Sequence, residues 1–338
     1  MSYAMTKTAI IGAGIAGLAC ARVLACQGHE VKVFDKGRGP GGRMSTRRAP
    51  TPMGEASFDH GAQYFTARDP AFVTEVARLT TLGAIAPWTG NLVRLHTDGT
   101  ISPLANETLY VGAPGMNAVV RALGEGLNVV WATRVDGVQL VGRAWHLTSE
   151  TGLDLGAYDQ FVCAIPAEQV APLIGSVAAN FADQAKAITS LPCWTGMFAF
   201  DRPLTTSFDA LRLDGHPIVD FIANNQSKPG RTGPVSYVVQ ARPDWSAAHL
   251  EDAPETITKQ LAQALMDVIE DRPNLIFQAA HRWRYARVDV SRGPGHLWDH
   301  TRNIGVCGDW LSGPRVESAW ASGHHLGLAM HTAQVSGD

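Results

Sequence analysis

The sequence predicts an α/β fold in which a Rossmann-type βαβ unit at the N-terminus is followed by an inserted, mostly antiparallel α+β region. Three observations predict it. A buried-strand pattern, a Gly-x-Gly-x-x-Gly turn and a helical pattern run in unbroken succession from Thr8 to Leu24. A second apolar strand ends on Asp35, at the spacing where an acidic residue meets a nucleotide ribose. From about Ala167 to Asp289 the texture changes to longer strands with one amphipathic helix, before a short apolar strand returns between Asn303 and Cys307.

A length of 338 residues leaves room for two domains, each able to bury a core. Hydrophobic content of 45% and charged content of 17% suit a globular enzyme, and a net charge of -3 gives no pull toward nucleic acid or anionic membranes. Neither is expected as a partner. The cysteines Cys20, Cys26, Cys163, Cys193 and Cys307 form no Cys-x-x-Cys and sit in apolar runs, as thiols of a reducing compartment do. Lys7 and the run ending Val23-Leu-Ala-Cys26 imitate a lipoprotein signal, but cleavage there would remove the glycines of the turn, and the turn is preferred. No other apolar run is long enough to span a bilayer. A cytoplasmic location is expected, with translation starting at Met1 or Met5.

Thr8-Ala-Ile-Ile11 is a short apolar run bounded by glycine, the pattern of a strand buried on both faces. In Gly12-Ala13-Gly14-Ile15-Ala16-Gly17 the first glycine permits the tight turn and the second lets backbone approach a pyrophosphate. The third lets helix and strand pack closely. The helical pattern through Leu18, Cys20, Val23 and Leu24 closes at Gly28, a plausible C′ position. Its N-terminus offers N–H groups and a positive dipole end to phosphates. The second strand is Glu30-Val-Lys-Val-Phe34. Asp35 follows, 18 residues beyond Gly17, where a carboxylate accepts both ribose hydroxyls and repels a 2′-phosphate.

The loop Lys36-Gly-Arg-Gly-Pro-Gly-Gly42-Arg43-Met44 would let backbone and Arg43 reach back across a pyrophosphate, although a solvated basic loop reads the same way. In this order, GxGxxG, an acidic residue and a Gly-Gly-Arg segment, the sequence resembles the glutathione-reductase-type flavoproteins of the amine oxidase group. The resemblance implies FAD as cofactor, with Arg43 on its pyrophosphate and Lys36, Gly42 and Met44 beside it.

Phe58-Asp-His-Gly-Ala62-Gln63-Tyr64-Phe-Thr-Ala-Arg68 is similar to the renalase branch of that group. So are Lys228-Pro-Gly-Arg231, His281-Arg-Trp283-Arg-Tyr285-Ala286 and Gly305-Val-Cys-Gly308-Asp309-Trp310 with Arg315-Val316-Glu-Ser. These segments span the chain. The family fold implies an FAD-binding domain interrupted by an amine-oxidase-like substrate domain. The expected FAD-binding parts are 1–69, 103–166 and 290–338, and the expected substrate parts are 70–102 and 167–289.

Within the FAD-binding part, Pro114 with Val119, Val120 and Leu123 reads as a helix carrying proline in its first turn. Val129–Trp131, Arg134–Val138 and Trp145–Leu147 read as a meander, and Phe161–Ile165 as a buried strand stopped by Pro166. By resemblance, Val135 lends its backbone to the adenine. An amphipathic helix is expected over Pro254–Ile269. Gly308-Asp309 ends the returning strand, where ligands bind in open sheets, and Asp309 can accept ribityl hydroxyls or simply cap a helix. A helix starting near Arg315 and Val316 would direct its dipole at the pyrimidine edge of the flavin. Ala62, Gln63 and Tyr64 are expected beside the isoalloxazine.

Two reaction classes compete. An amine oxidase of this fold commonly places a lysine near flavin N5, and of the lysines only Lys228 is free to reach a cavity. Its Ser-Lys-Pro-Gly context reads as a surface turn. The renalase resemblance instead implies a dinucleotide substrate, the 2- and 6-dihydro isomers of NAD(P), with molecular oxygen accepting electrons as hydrogen peroxide. A dihydropyridine expels hydride without losing a proton, so no catalytic acid or base is named, and no metal ligand. Substrate candidates are Trp283 and Tyr285 alternating on one strand, with Trp194, His281 and Asn224. Core packing competes for the aromatics. Arg231, Arg242, Arg282, Arg284 and Arg287 are candidates for attracting a pyrophosphate, most of them solvated. A non-enzymatic flavoprotein is the third reading.

Overall fold

Short apolar runs far apart in the chain pair into one sheet. The computed structural model describes residues 5–269, 271–289 and 293–335; the alternative start at Met1 and the rest of 290–338 lie outside them. Six strands run in the order His296–Asp299, Ile304–Cys307, Gln160–Cys163, Lys7–Ile11, Glu30–Phe34 and Asn128–Val130. All neighbours are parallel except the first pair. Burial on both faces follows from period-two alternation. Ile10, Val33 and Val162 face the helices Ile15–Cys26, Asn117–Gly124 and Val316–Val335. Ala9, Ile11, Phe34 and Phe161 face Trp145, Tyr158 and the helices Ala167–Ile174 and Ala179–Lys186.

The second sheet has seven strands, in the order Leu275–Val288, Ser190–Phe200, Val235–Ala241, Val219–Asn224, Ala210–Leu213, Leu92–Leu95 and Ile101–Pro103. It is antiparallel apart from Ala210–Leu213 against Leu92–Leu95. Trp194, Phe198 and Phe200 pack beneath the helix Pro254–Ile269 through Ile257, Leu261 and Leu265. On the opposite face Met197, Ala199 and Val238 meet Phe58 of a hairpin, Thr46–Thr51 with Gly54–Asp59. That face is turned toward the first sheet.

Four expectations need correction. Asn128–Val130 joins the parallel sheet instead of opening the meander. The meander is Val135–Val141, Ala144–Ser149 and Asp154–Tyr158. Pro114 precedes its helix, which begins at Asn117. The segment 70–102 is shared: Leu92–Leu95 and Ile101–Pro103 join the second sheet, whereas Phe72 of the helix Pro70–Thr81 packs on Trp320. The pairings of Asn128–Val130 with Glu30–Phe34 and of Leu92–Leu95 with Ala210–Leu213 are made with partners remote in sequence, so no local signal distinguished them. Among the described residues, no helix is long and apolar enough to cross a membrane.

Candidate functional site

The glycine turn is built by close approach. Gly12 has φ +103, and a Cβ there would stand 2.4 Å from the carbonyl oxygen of Ala164. A Cβ on Gly17 would stand 1.9 Å from the oxygen of Gly12, so strand and helix meet only through glycine. Gly14 differs. A Cβ there meets no atom within 4 Å, so this glycine keeps open the space in front of the helix N-terminus, where a pyrophosphate belongs. Asp35 accepts the N–H of Ala13 at 2.7 Å on one oxygen and that of Gly37 at 2.6 Å on the other. A carboxylate has about four lone-pair sites, so both oxygens keep capacity for ribose hydroxyls. The N–H groups of Ala132 and Thr133 bond the carbonyls of Gly37 and Asp35, bringing the start of the Val135 strand beside this loop. These features fit the adenosine diphosphate half of a flavin dinucleotide.

Arg43 sits on a 3-10 turn, Gly42–Met44, that passes Gly14. Its guanidinium binds Asp309 through two hydrogen bonds of 2.8 and 2.7 Å, while other N–H groups of its fork stay free. The two side chains expected on pyrophosphate and ribityl chain therefore meet directly. Asp309 follows the strand Ile304–Cys307, and the N–H of Gly308 donates to Ser322 Oγ at 2.9 Å. Val316 begins the last helix on the same cavity wall. Lys36 is exposed and reaches Gln169 at 3.0 Å, on the outside of the fold.

The 59–64 segment is fastened from behind. Asp59 accepts from Thr46 Oγ1 at 2.7 Å and the Met116 N–H at 2.9 Å on one oxygen, and from Lys228 at 3.2 Å and Arg231 on the other. All three charged side chains have no exposure. Burial alone would raise the Asp59 carboxyl, but Lys228 and Arg231 outweigh it and hold it well below the usual carboxylate range. Lys228 is not the surface-turn residue its sequence context implied. It donates to Gln63 Oε1 at 3.1 Å and lies 5.1 Å from the Trp88 ring centre, and burial lowers its pKa to about 8 against the pull of Asp59. Turn residues flag exposure only when nothing packs over them.

A cavity of about 540 Å³ lies between the two sheets. Ile15, Arg43, Met44, Asp309 and Val316 line one wall, and Ala62, Gln63 and Tyr64 the floor. Trp283 lines the opposite wall, its Nε1 donating to the His60 carbonyl at 2.8 Å and its ring stacked on His60 at 5.2 Å. His281 supports that stack from 4.5 Å without lining the cavity. Burial, reinforced by His281, pushes His60 down to about 4.

Three substrate candidates lie elsewhere. Tyr285 was expected to alternate with Trp283, but Leu191 pairs with Arg287 and Cys193 with Trp283, so Pro192 alone faces Arg284, Tyr285 and Ala286. Proline cannot donate to the ladder, and the resulting bulge turns Ala286 and Arg287 to the cavity in place of Tyr285. Trp194 is core, with Nε1 on the His249 carbonyl at 2.9 Å. Asn224 caps a 3-10 turn by accepting the Gln226 N–H at 3.1 Å, beside a separate surface depression. Sequence reading missed Arg212, Phe221, Gln240 and Cys193, which complete the wall. Arg212 pairs with Asp220 at 3.0 Å and lies 5.4 Å from the Phe221 ring, which tilts against Tyr64. Burial pushes the Cys193 thiol up to about 11.

Comparison with known proteins places this geometry. Residues 89–326 match the family described as flavin containing amine oxidoreductase, and residues 10–78 match an NAD(P)-binding Rossmann-like domain. A 39-residue stretch is 56% identical to a 4,4'-diapophytoene desaturase (4,4'-diaponeurosporene-forming) of Staphylococcus aureus (strain Newman), covering 12% of this chain and 8% of the desaturase. A putative protoporphyrinogen oxidase from Exiguobacterium sp. 255-15 superimposes with a TM-score of 0.77 at 12% identity, over 98% of this chain and all of that one. Cyclohexylamine oxidase from Brevibacterium oxydans IH-35A does so with a TM-score of 0.72 at 13% identity, over 98% of this chain and all of its own. At such identities the two structures speak for the fold: a Rossmann-like part joined to an amine-oxidase-type part.

Proposed function

Because the chain belongs to the flavin containing amine oxidoreductase family, with FAD as its cofactor, we propose that it is a renalase-like oxidase of the 2- and 6-dihydro isomers of NAD(P). The chemistry supplied by bound FAD is hydride acceptance and two-electron transfer to oxygen, so that dihydro isomer, O2 and a proton become NAD(P)+ and H2O2.

One observation carries the reading: the cavity is walled by rings, and each carboxylate that lines it among the described residues is held by an arginine or by backbone N–H groups. The carboxylates of Asp220 and Asp309 are held by arginines, and that of Glu107 by Arg68. Glu317 accepts the N–H groups of Arg68 and Asp69. Cys193 is held as a neutral thiol, and Lys228 stands behind Gln63. A substrate that yields hydride without deprotonation needs only positioning. Tyr64, Phe221 and Trp283 supply faces for a flat ring, and Gln63, locked by Lys228, fixes the floor.

The test is anaerobic mixing of FAD-loaded protein with borohydride-generated NADH isomers, watched at the flavin band. The isomers are expected to reduce the flavin rapidly. Ordinary 4-dihydro NADH, with its reacting carbon displaced by more than about 1 Å, should be slower by about a hundredfold. Simple amines should be poor. Efficient reduction by amines with none by the isomers would replace this reading with an amine oxidase.

A further inference from the structure

The arginines of the cavity separate into paired and unpaired sets. Arg43 faces Asp309, Arg68 faces Glu107 and Arg212 faces Asp220. Of the arginines that the sequence offered to a pyrophosphate, Arg231 is spent on buried Asp59, Arg242 on Asp244, and Arg282 and Arg284 on Glu251. Arg287 remains. The bulge at Pro192 carries it to the cavity, exposed and with no carboxylate at ion-pair distance among the described residues. Arg315 is the second such cation, on the opposite wall just ahead of the last helix. The nearby carboxylate of Glu107 is already clamped by two hydrogen bonds from Arg68.

The lining sets five arginines against the four carboxylates of Glu107, Asp220, Asp309 and Glu317, the last met only by backbone N–H groups, so the two unpaired guanidiniums leave a net positive field across the cavity. Such a field repels an ammonium and attracts an anion, and the fork of each arginine matches phosphate oxygens. We infer that Arg287 and Arg315 form a phosphate-reading pair, one from each wall, that selects a diphosphate-bearing substrate over the same ring without phosphates. The inference rests on the dinucleotide reading above and names the residues that enforce it. Gly14 and the fork of Arg43 would hold the pyrophosphate of the cofactor, which leaves Arg287 and Arg315 for a second anion.

The test compares FAD-loaded wild type with Arg287→Gln, Arg315→Gln and the double variant. Flavin reduction is followed with a dihydro isomer of NAD and with the matching dihydronicotinamide riboside. The dissociation constant of the dinucleotide should rise about ten- to hundredfold in the double variant. The limiting reduction rate, FAD occupancy and reaction with the riboside should stay within about twofold, and salt should weaken dinucleotide binding less than in wild type. An unchanged dissociation constant, or equal losses for both substrates, would overturn the pair. If neither substrate reduces wild-type FAD, the dihydro-isomer reading fails by itself. ADP-ribose binding to the FAD-loaded protein then decides the arginines. Binding in wild type that the double variant loses sustains them; no binding in wild type, or equal binding in both, removes them.

Discussion

Asp59 carries more of the site than any side chain that touches the cavity. It holds two buried cations and two further donors, tying the 59–64 floor to Met116, Lys228 and Arg231. Asp59→Asn leaves both cations without a counter-charge and is expected to cost about 3–5 kcal/mol in urea denaturation. Lys228→Met should cost less, because the remaining Asp59–Arg231 pair is balanced; the reverse order would show that Lys228 is held by something other than Asp59. His60 gives a pH dependence with a definite sign. Its folded pKa is lowered by burial from 6.5 to about 4, so the folded chain refuses a proton the unfolded chain takes. The associated stability is present above pH 6.5 and lost as pH falls toward 4, on the order of 3 kcal/mol. His60→Phe should flatten that acid limb, and an unaltered limb would reassign it to the other histidines. Asp59 acts lower: its depressed pKa gives stability present above about pH 4 that is lost on further acidification.

At the scale of elements, the site is made where regular structure is interrupted. Pro192 breaks a ladder, and the bulge opposite it decides which residues of Leu275–Val288 face the cavity. The glycine turn breaks strand from helix, and its glycines do different work. Gly14→Ala has room for its methyl group and an ordinary φ of -74, so the apoprotein should melt as wild type does. FAD affinity should nevertheless fall by about tenfold or more, near 1.4 kcal/mol, because the methyl stands where the phosphate approaches. Gly17→Ala drives a Cβ into the Gly12 carbonyl and should lose apoprotein stability as well as FAD. Equal melting temperatures for the two apoproteins would show that helix and strand do not need their close packing. Thermal melting and FAD titration separate the two effects.

At the scale of the whole molecule, the cavity belongs to no single segment. One wall is assembled from the chain start and the last helix, the other from the seven-stranded sheet, and Gln240 crosses to the floor at Gly61 with a 2.7 Å hydrogen bond. A ligand lodged between the walls binds the folded state alone. FAD at a hundred times its dissociation constant should therefore add about 2.7 kcal/mol to stability, read as a higher melting temperature. A melting temperature indifferent to FAD would mean that the cofactor is not held across these walls. Arg43 and Asp309, far apart in sequence and bonded to each other, are the place where such bracing would act.

Features that depend on neighbours in the chain were legible without a structure. The strand, glycine turn and helix from Lys7 to Cys26, the strand Glu30–Phe34 and the helix Pro254–Ile269 rest on hydrophobic period and glycine spacing, which are local properties. The acidic residue after the second strand was legible from the same spacing, whereas the Gly-Gly-Arg loop read equally as a solvated basic loop and was assigned only through the family resemblance. What the tertiary structure alone decided depends on pairing across long separations. Register placed Asn128–Val130 in the parallel sheet, and a bulge set by one proline exchanged Tyr285 for Ala286 and Arg287 at the cavity. Phe221 and Arg212 entered the wall through strands whose facing is fixed only by their neighbours in the sheet. Lys228 is the sharpest case. A Ser-Lys-Pro-Gly turn is compatible with exposure or burial, and only the arrival of Asp59 and Gln63, more than 160 residues away, made burial affordable for its charge.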